Sequence, residues 1–98
     1  LTFILMNLKM LTLDFQLPGC CSLKEKRQLL GGLKDRFGKM SNIAVTESAH
    51  HDQHQLSQWC FVAAGVDAIQ LEKILTNIET HANTQLDAVI IDCQRQWL

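Results

Sequence analysis

The first regular pattern along the chain is an alternation of apolar and polar residues over residues 8–17. The apolar positions share one face and the polar positions the other: Leu11, Leu13, Phe15 and Leu17 against Thr12, Asp14 and Gln16. Because successive side chains of a strand point to opposite faces, this pattern predicts a half-buried β-strand. Pro18 and Gly19 end the strand as a turn.

The pattern then changes to the helical spacing of three and four. Ser22, followed three residues later by Glu25, forms a capping box and predicts a helix over residues 23–37. An apolar stripe runs along this helix: Leu23, Leu30, Leu33, Phe37 and Met40. Gly38 supplies the expected stop.

Two more strands, a second helix and a last strand complete the pattern. We expect strands over residues 43–51 and 56–65, joined by a polar hairpin. Asp67 begins the second helix, which carries its own apolar stripe: Ala68, Leu71, Leu75, Ile78 and Ala82. Residues 86–93 predict the last strand. The order β-α-β-β-α-β predicts an α+β fold of the ferredoxin-like type, a two-layer sandwich with two helices on one face of an antiparallel four-stranded sheet.

Composition limits the class of protein. A chain of 98 residues with 47% hydrophobic and 19% charged residues is expected to form a single domain, residues 1–98. A net charge of −1 gives no global attraction to nucleic acid or anionic lipid. No apolar run reaches the roughly 20 residues of a membrane span. The irregular spacing of Cys20, Cys21, Cys60 and Cys93 indicates reduced thiols and a cytoplasmic location.

Two motifs connect the chain to a known family. The segment P-G-x-x-S-L-K-E-K-R at residues 18–27 resembles the opening of the YlxP-like family of small bacterial proteins of unknown function, and N-x-x-V-x-E at residues 42–47 extends the resemblance. It implies the same fold, with strand order 4-1-3-2. It also implies a natural start at Met6, which makes residues 1–5 an extension. Genes for such proteins are often found among genes for translation and ribosome maturation.

Positive charge is concentrated on the first predicted helix. The segment 17–39 contains six of the nine Lys and Arg residues: Lys24, Lys26, Arg27, Lys34, Arg36 and Lys39. Glu25 and Asp35 leave this segment at +4, whereas the whole chain is −1. At 100° per residue, Lys24, Arg27 and Lys34 fall on one outward line, with Gly31 between them.

This basic line could approach a phosphate backbone closely. It predicts a non-enzymatic module that binds RNA or the ribosome through the helix, with these candidate contacts: Lys24, Lys26, Arg27, Lys34 and Arg36. A solvated helix face is the alternative, because no aromatic residue is interleaved with the charges.

The sheet offers a different kind of surface. The strand 56–65 carries apolar residues on both faces: Trp59, Phe61 and Ala63 on one, Cys60, Val62 and Ala64 on the other. An exposed apolar face usually marks an interaction site, so we expect a homodimer or a protein partner. The predicted interface residues are Trp59, Phe61 and Ile90. Alternatively, loops and residues 97–98 fold over this face.

The polar hairpin holds the weak metal candidates. His50, His51 and His54, together with Asp52, could hold zinc, nickel or copper. Their spacing matches no ligand motif well, so an exposed polar turn is the preferred interpretation and no metal site is predicted.

No motif for catalysis or for a cofactor is present in the sequence, and we expect neither. Cys20 and Cys21 precede a helix N-terminus, a position that lowers a thiol pKa, but a small filler in the turn is the simpler interpretation. Glu47 lies inside an otherwise apolar strand. A buried carboxylate needs a partner, and Arg27 and Arg36 are the candidates for a structural ion pair.

Overall fold

The computed structural model describes residues 6–98, so the predicted extension at residues 1–5 lies outside the described residues. Six elements follow one another: β1 (Asn7–Gln16), α1 (Leu23–Phe37), β2 (Ile43–Ala49), β3 (Leu56–Gly65), α2 (Ala68–Gln85) and β4 (Val89–Trp97). The four strands form one antiparallel sheet in the order β2-β3-β1-β4. This confirms the ferredoxin-like α+β fold and the predicted strand order. No helix within residues 6–98 has the length and apolar character needed to cross a membrane.

The core lies between the sheet and the two helices. It is built from apolar side chains of β1, α1, β3 and α2 that are almost fully buried: Leu11, Leu13, Phe15, Leu30, Leu33, Phe61, Leu71, Leu75 and Ile78. Each such burial stabilises the fold by about 1.5–3 kcal/mol relative to an exposed side chain. The predicted stripes of both helices therefore account for their packing.

Both helices begin at their predicted caps. Ser22 Oγ accepts a hydrogen bond from the Glu25 N–H at 3.1 Å, and Asp67 caps α2 by accepting from two backbone N–H groups. The helix α1 ends where the Gly38 N–H donates to the Lys34 carbonyl oxygen at 2.8 Å. A Cβ atom at Gly38 would collide with that oxygen, so the close approach of the two backbone segments requires glycine.

The last strand differs from the prediction of residues 86–93. It spans Val89–Trp97, and its register on β1 shifts between Asp14 and Phe15. Asp14 pairs with Asp92 while Phe15 pairs with Ile90, which makes the intervening residue a β-bulge. Beyond the bulge, alternate side chains of β4 point to the opposite faces of the sheet from those before it. The C-terminal half of β4 is polar, so the apolar alternation that predicted the strand ends before the strand does.

A network of charges attaches the end of β4 to α2. Arg95 donates to Glu72 at 3.1 Å and to Glu79 at 3.3 Å, and Lys9 of β1 also pairs with Glu72. The ammonium of Lys9 lies 4.3 Å from the ring centroid of Trp97. Trp97 therefore lies on the helix side of the sheet and does not cover the open face.

The predicted interface is wrong at two of its three residues. Trp59 is 8% exposed and Phe61 is fully buried, because the odd-numbered positions of β3 face the helices. Ile90 is half-buried and packs against the same core. The open face carries the other set of β1 and β3 side chains, which pair across the two strands: Leu8, Met10, Thr12 and Asp14 with Ala64, Val62, Cys60 and Gln58.

Candidate functional site

A buried lysine joins α1 to the hairpin between β2 and β3. Lys26 is only 4% exposed. Its Nζ lies 2.9 Å from Glu47 Oε2 and donates to the carbonyl oxygens of His50 at 2.7 Å and Gln53 at 2.9 Å. The three partners match the three N–H bonds of an ammonium group. Lys26 therefore fixes the hairpin to the helix and is not available to bind phosphate, which corrects its place among the predicted RNA contacts.

The partner carboxylate is held in its ionised form. Glu47 accepts a hydrogen bond from the buried Ser57 hydroxyl as well as the contact from Lys26. Burial raises the pKa of Glu47, but the Ser57 hydrogen bond and the Lys26 charge together outweigh it, so the pKa lies below its ordinary value. The predicted partners Arg27 and Arg36 are wrong, since Lys26 occupies that place.

A sequence signal for this pair was present. Lys26 fills the gap in the apolar stripe of α1, which reads Leu23, Lys26, Leu30, Leu33 and Phe37 at steps of three and four. Glu47 likewise takes an inward position of β2, two residues after Val45. Opposite charges at inward positions of two adjacent elements predict an ion pair across them.

The hairpin does not gather its histidines. His50 has a positive φ of 65°, and this left-handed residue ends β2 two residues earlier than predicted. His51 Nε2 lies 3.0 Å from the carbonyl oxygen of Glu47, and the side chain of His54 is exposed. Within residues 6–98, no three His, Cys, Asp or Glu side chains are placed to hold a metal ion.

The predicted basic line is present on the surface of α1. Lys24, Arg27 and Lys34 are exposed, and Gly31 lies between them; these four residues are the basic line. The cations in the ion pairs of residues 6–98 are Lys9, Lys26 and Arg95. No described ion pair therefore neutralises the three charges of the basic line.

A groove runs beside the basic line, between α1 and the edge strand β2. Its volume is about 680 Å³. Arg27, Gly31 and Lys34 form its helix side, Val45 lies on the strand side, and Trp59 of β3 also lines it. Most of the basic line thus borders a cavity of the size that small ligands occupy.

Arg36 lies elsewhere. It lines a second cavity of about 540 Å³ near the C-terminal end of α1, together with Phe37 and His81. The His81 and Phe37 rings meet edge to face at 5.4 Å. Burial, and then the charge of Arg36, lower the pKa of His81, so this ring is neutral at pH 7. Arg36 is therefore not part of the basic line.

The sulfur atoms of the four cysteines contact nearby oxygen atoms within residues 6–98. The Cys20 side chain is buried, and Cys21 Sγ contacts the Gly19 carbonyl oxygen at 3.2 Å. Cys93 Sγ donates to Glu79 at 3.1 Å. Burial and the Glu79 carboxylate raise the pKa of Cys93 to about 11, so it is a protonated, unreactive thiol at neutral pH.

Comparison with known protein families shows which family this chain belongs to. The family described as Protein of unknown function (DUF503) matches residues 8–95, from the start of β1 almost to the end of β4. The chain belongs to the DUF503 family. Membership of DUF503 brings no assigned activity, and the finer YlxP-like relationship stays a prediction. No curated protein matches this DUF503 chain.

Solved structures relate the DUF503 chain to known folds. A mutant of SnoaB, a cofactor-independent oxygenase from Streptomyces nogalater, is similar with a TM-score of 0.57 and 12% sequence identity, over 93% of this chain and 90% of that one. At this identity the likeness supports the ferredoxin-like fold alone. An amidase of the hydantoinase/carbamoylase family from Burkholderia phymatum gives a TM-score of 0.47 and 9% identity, over 96% of this chain and 28% of that one.

Proposed function

We propose that the protein is a non-enzymatic binding module that contacts RNA, free or in the ribosome, through the basic line of α1. The observation that carries this proposal is the exposure of Lys24, Arg27 and Lys34 on one line without a described ion pair. Exposed cations release counterions from a phosphate backbone, whereas Lys26, satisfied inside the protein, does not.

The shape of the line fits a phosphate backbone. From Lys24 to Lys34 it extends about 15 Å along the helix axis, at 1.5 Å per residue. Nothing lies within 4 Å of a Cβ built on Gly31, so the helix surface is open at its middle. Because the whole chain carries −1, the attraction is local to this face. The YlxP-like resemblance, with its gene association, supports the ribosome as the source of the RNA.

The test combines co-sedimentation with ribosomes and fluorescence anisotropy of labelled RNA over a salt series. A double variant, Arg27→Glu with Lys34→Glu, is compared with Lys39→Glu with Lys73→Glu, which changes the net charge equally at exposed positions elsewhere. We expect affinity that falls with salt, a salt dependence shallower by about two contacts in the first variant, and unchanged binding in the second. Absence of binding at low salt, or equal loss in both variants, contradicts the proposal.

A second candidate function is self-association through the open face of the sheet. The paired residues Leu8 and Ala64, and Met10 and Val62, give one end of this face an apolar surface, and Leu8 is 39% exposed. Such a surface favours a two-fold symmetric dimer. Sedimentation equilibrium tests it: Val62→Asp should convert a dimer to a monomer, whereas Asn77→Asp, exposed on α2, should not. A monomeric wild-type protein contradicts this candidate.

A further inference from the structure

A residue that lines the groove beside the basic line carries a buried hydrogen-bond donor with no acceptor in the described part of the chain. Trp59 is 8% exposed, and its indole Nε1 is buried with no hydrogen-bond partner among residues 6–98. An indole N–H can only donate, and buried donors in proteins are nearly always paired. The other described tryptophan, Trp97, is 47% exposed and lies against Lys9, in the half of the sheet formed by β1 and β4. Trp59 itself lines the groove, so this unpaired donor is carried by a residue of the groove wall.

The remaining walls of the groove combine apolar surface with two exposed cations. Leu30 and Val45 give it an apolar side. Arg27 and Lys34 also line the groove, and both side chains are exposed at its rim. Gly31, between them, leaves open space where any other residue would place a side chain. A flat group can enter there with an acceptor directed at Trp59 and a negative charge near the rim.

The charges that line the groove favour a ligand that carries little negative charge. Its lining has three cations and three carboxylates: Lys26, Arg27 and Lys34 against Asp35, Glu47 and Asp52. Lys26 and Glu47 neutralise each other. The remaining two cations face two exposed carboxylates, which oppose the several charges of a free nucleoside triphosphate. A single phosphodiester charge beside a neutral base satisfies this arrangement better.

We propose that the groove receives one unstacked base of single-stranded RNA, with the adjoining phosphodiester on Arg27 and Lys34 and a base acceptor taking the Trp59 Nε1–H. This inference rests on the proposed function and narrows it, since RNA duplexes keep their bases stacked and paired. Proteins that recognise single-stranded RNA commonly use such splayed bases, whose edges are free to hydrogen-bond.

The two tryptophans make the test direct. In the full chain labelled with ¹⁵N, each indole N–H gives one signal, and Trp59→Phe identifies that of Trp59. A short single-stranded RNA of mixed sequence, and the same strand annealed to its complement, are titrated separately. We expect the single strand to shift the Trp59 indole signal and leave that of Trp97 in place. The duplex should bind more weakly and shift neither.

A second pair of variants tests the groove without removing a core residue. Gly31→Leu projects a side chain into the groove, whereas Gly32→Leu, next along the helix, does not line it; neither new Cβ meets an atom within 4 Å. Gly31→Leu should weaken binding of the single strand roughly tenfold or more, the loss of about one good hydrogen bond with its packing. Gly32→Leu should bind as the wild type does.

The outcomes separate the two proposals. Binding of both RNA forms with an unmoved Trp59 signal and equal affinity in Gly31→Leu overturns the groove inference and leaves the RNA function standing. Failure of both RNA forms to bind at low salt overturns the RNA function itself, and with it the inference. A Trp59 signal that shifts with uridine or adenosine monophosphate, without strand binding, also overturns the inference, because the groove would then bind free nucleotides and not RNA.

Discussion

Lys26 Nζ lies 2.9 Å from Glu47 Oε2, and this contact joins the first helix to the edge strand of the sheet. The same ammonium holds two carbonyl oxygens of the hairpin. One side chain thus sets the position of three segments that meet at the groove. The Lys26 side chain is 5% exposed and that of Glu47 23% exposed, so loss of either partner leaves an unpaired charge that is at least partly buried.

Replacing the lysine should therefore be costly. Lys26→Met keeps the length and apolar stem but removes the ammonium, which strands the Glu47 carboxylate and two carbonyl groups. We expect the free energy of unfolding at pH 7 to fall by about 1–3 kcal/mol, measured by urea denaturation. Lys24→Met, at an exposed position of the same helix, should change it by less than about 0.5 kcal/mol.

A double variant distinguishes a lost pair from lost packing. Lys26→Met combined with Glu47→Gln removes both charges, so its loss of stability should be clearly smaller than the sum of the two single losses. Additive losses would show that the ion pair is not the source of the cost.

Acid should act on the same pair. The pKa of Glu47 is lowered in the folded protein from the ordinary value of 4.5, so the unfolded chain binds more protons between the two values. The stabilisation is complete above pH 4.5 and is lost as the pH falls through the lower, folded value. Glu47→Gln should be less stable at pH 7 but have a flatter curve of stability against pH below 4.5.

The control for the acid experiment is Asp35→Asn, an exposed carboxylate on α1 that takes part in none of the described ion pairs. Its curve should parallel that of the wild type. Some slope should persist in Glu47→Gln, because the hydrogen bond from Lys9 lowers the pKa of Glu72 as well. Identical slopes in the wild type and Glu47→Gln would contradict the assignment.

Two glycines, Gly32 within α1 and Gly38 at its C-cap, should respond to alanine substitution in opposite directions. Gly38→Ala places a methyl group against the Lys34 carbonyl oxygen and should lower the stability by about 1 kcal/mol or more. Gly32→Ala meets nothing within 4 Å in a helix interior and should raise it by up to about 1 kcal/mol. Thermal unfolding of both variants, followed by circular dichroism, measures the difference. A stabilising Gly38→Ala would refute the close approach.

The thiols of Cys21 and Cys93 should react at different rates although both residues are exposed. Cys21 and Cys93 are both exposed, yet the pKa of Cys93 is raised to about 11 by burial of its sulfur and by Glu79. At pH 8, iodoacetamide should modify Cys21 well before Cys93, as read by peptide mass spectrometry. Glu79→Gln should speed the reaction of Cys93. Equal rates at the two cysteines would contradict this prediction.

Local pattern was sufficient for most of the fold. The bounds of α1 and β3 agree with those predicted, because Ser22, Gly38 and the alternation of β3 act within a few residues. The end of β4 was missed because residues 94–96 show no apolar alternation, and they form strand by pairing with β1, a contact between distant parts of the chain. The bulge in β4, opposite Asp14 and Phe15, depends on how two distant strands pair. No local pattern specifies that pairing.

The site could also be predicted only in part, because local pattern specifies the surface of a helix but not how the elements pack together. Helical geometry alone placed Lys24, Arg27 and Lys34 on one exposed line. The sequence could not say which face of β3 the helices cover, since both faces are apolar, and so Trp59 was assigned to the wrong one. The groove arises where α1 passes over an edge strand, which is a tertiary relationship.

The central position of β1 determines when the sheet can be completed during synthesis. β1 is synthesised before the other five elements, and it pairs with β3 and with β4, the last of the six. One edge of its hydrogen-bonding groups therefore stays open until β4 has left the ribosome. Contacts so distant in sequence form slowly. The nascent chain is accordingly most exposed to wrong strand pairing, or most dependent on a chaperone, in the interval before β4 emerges.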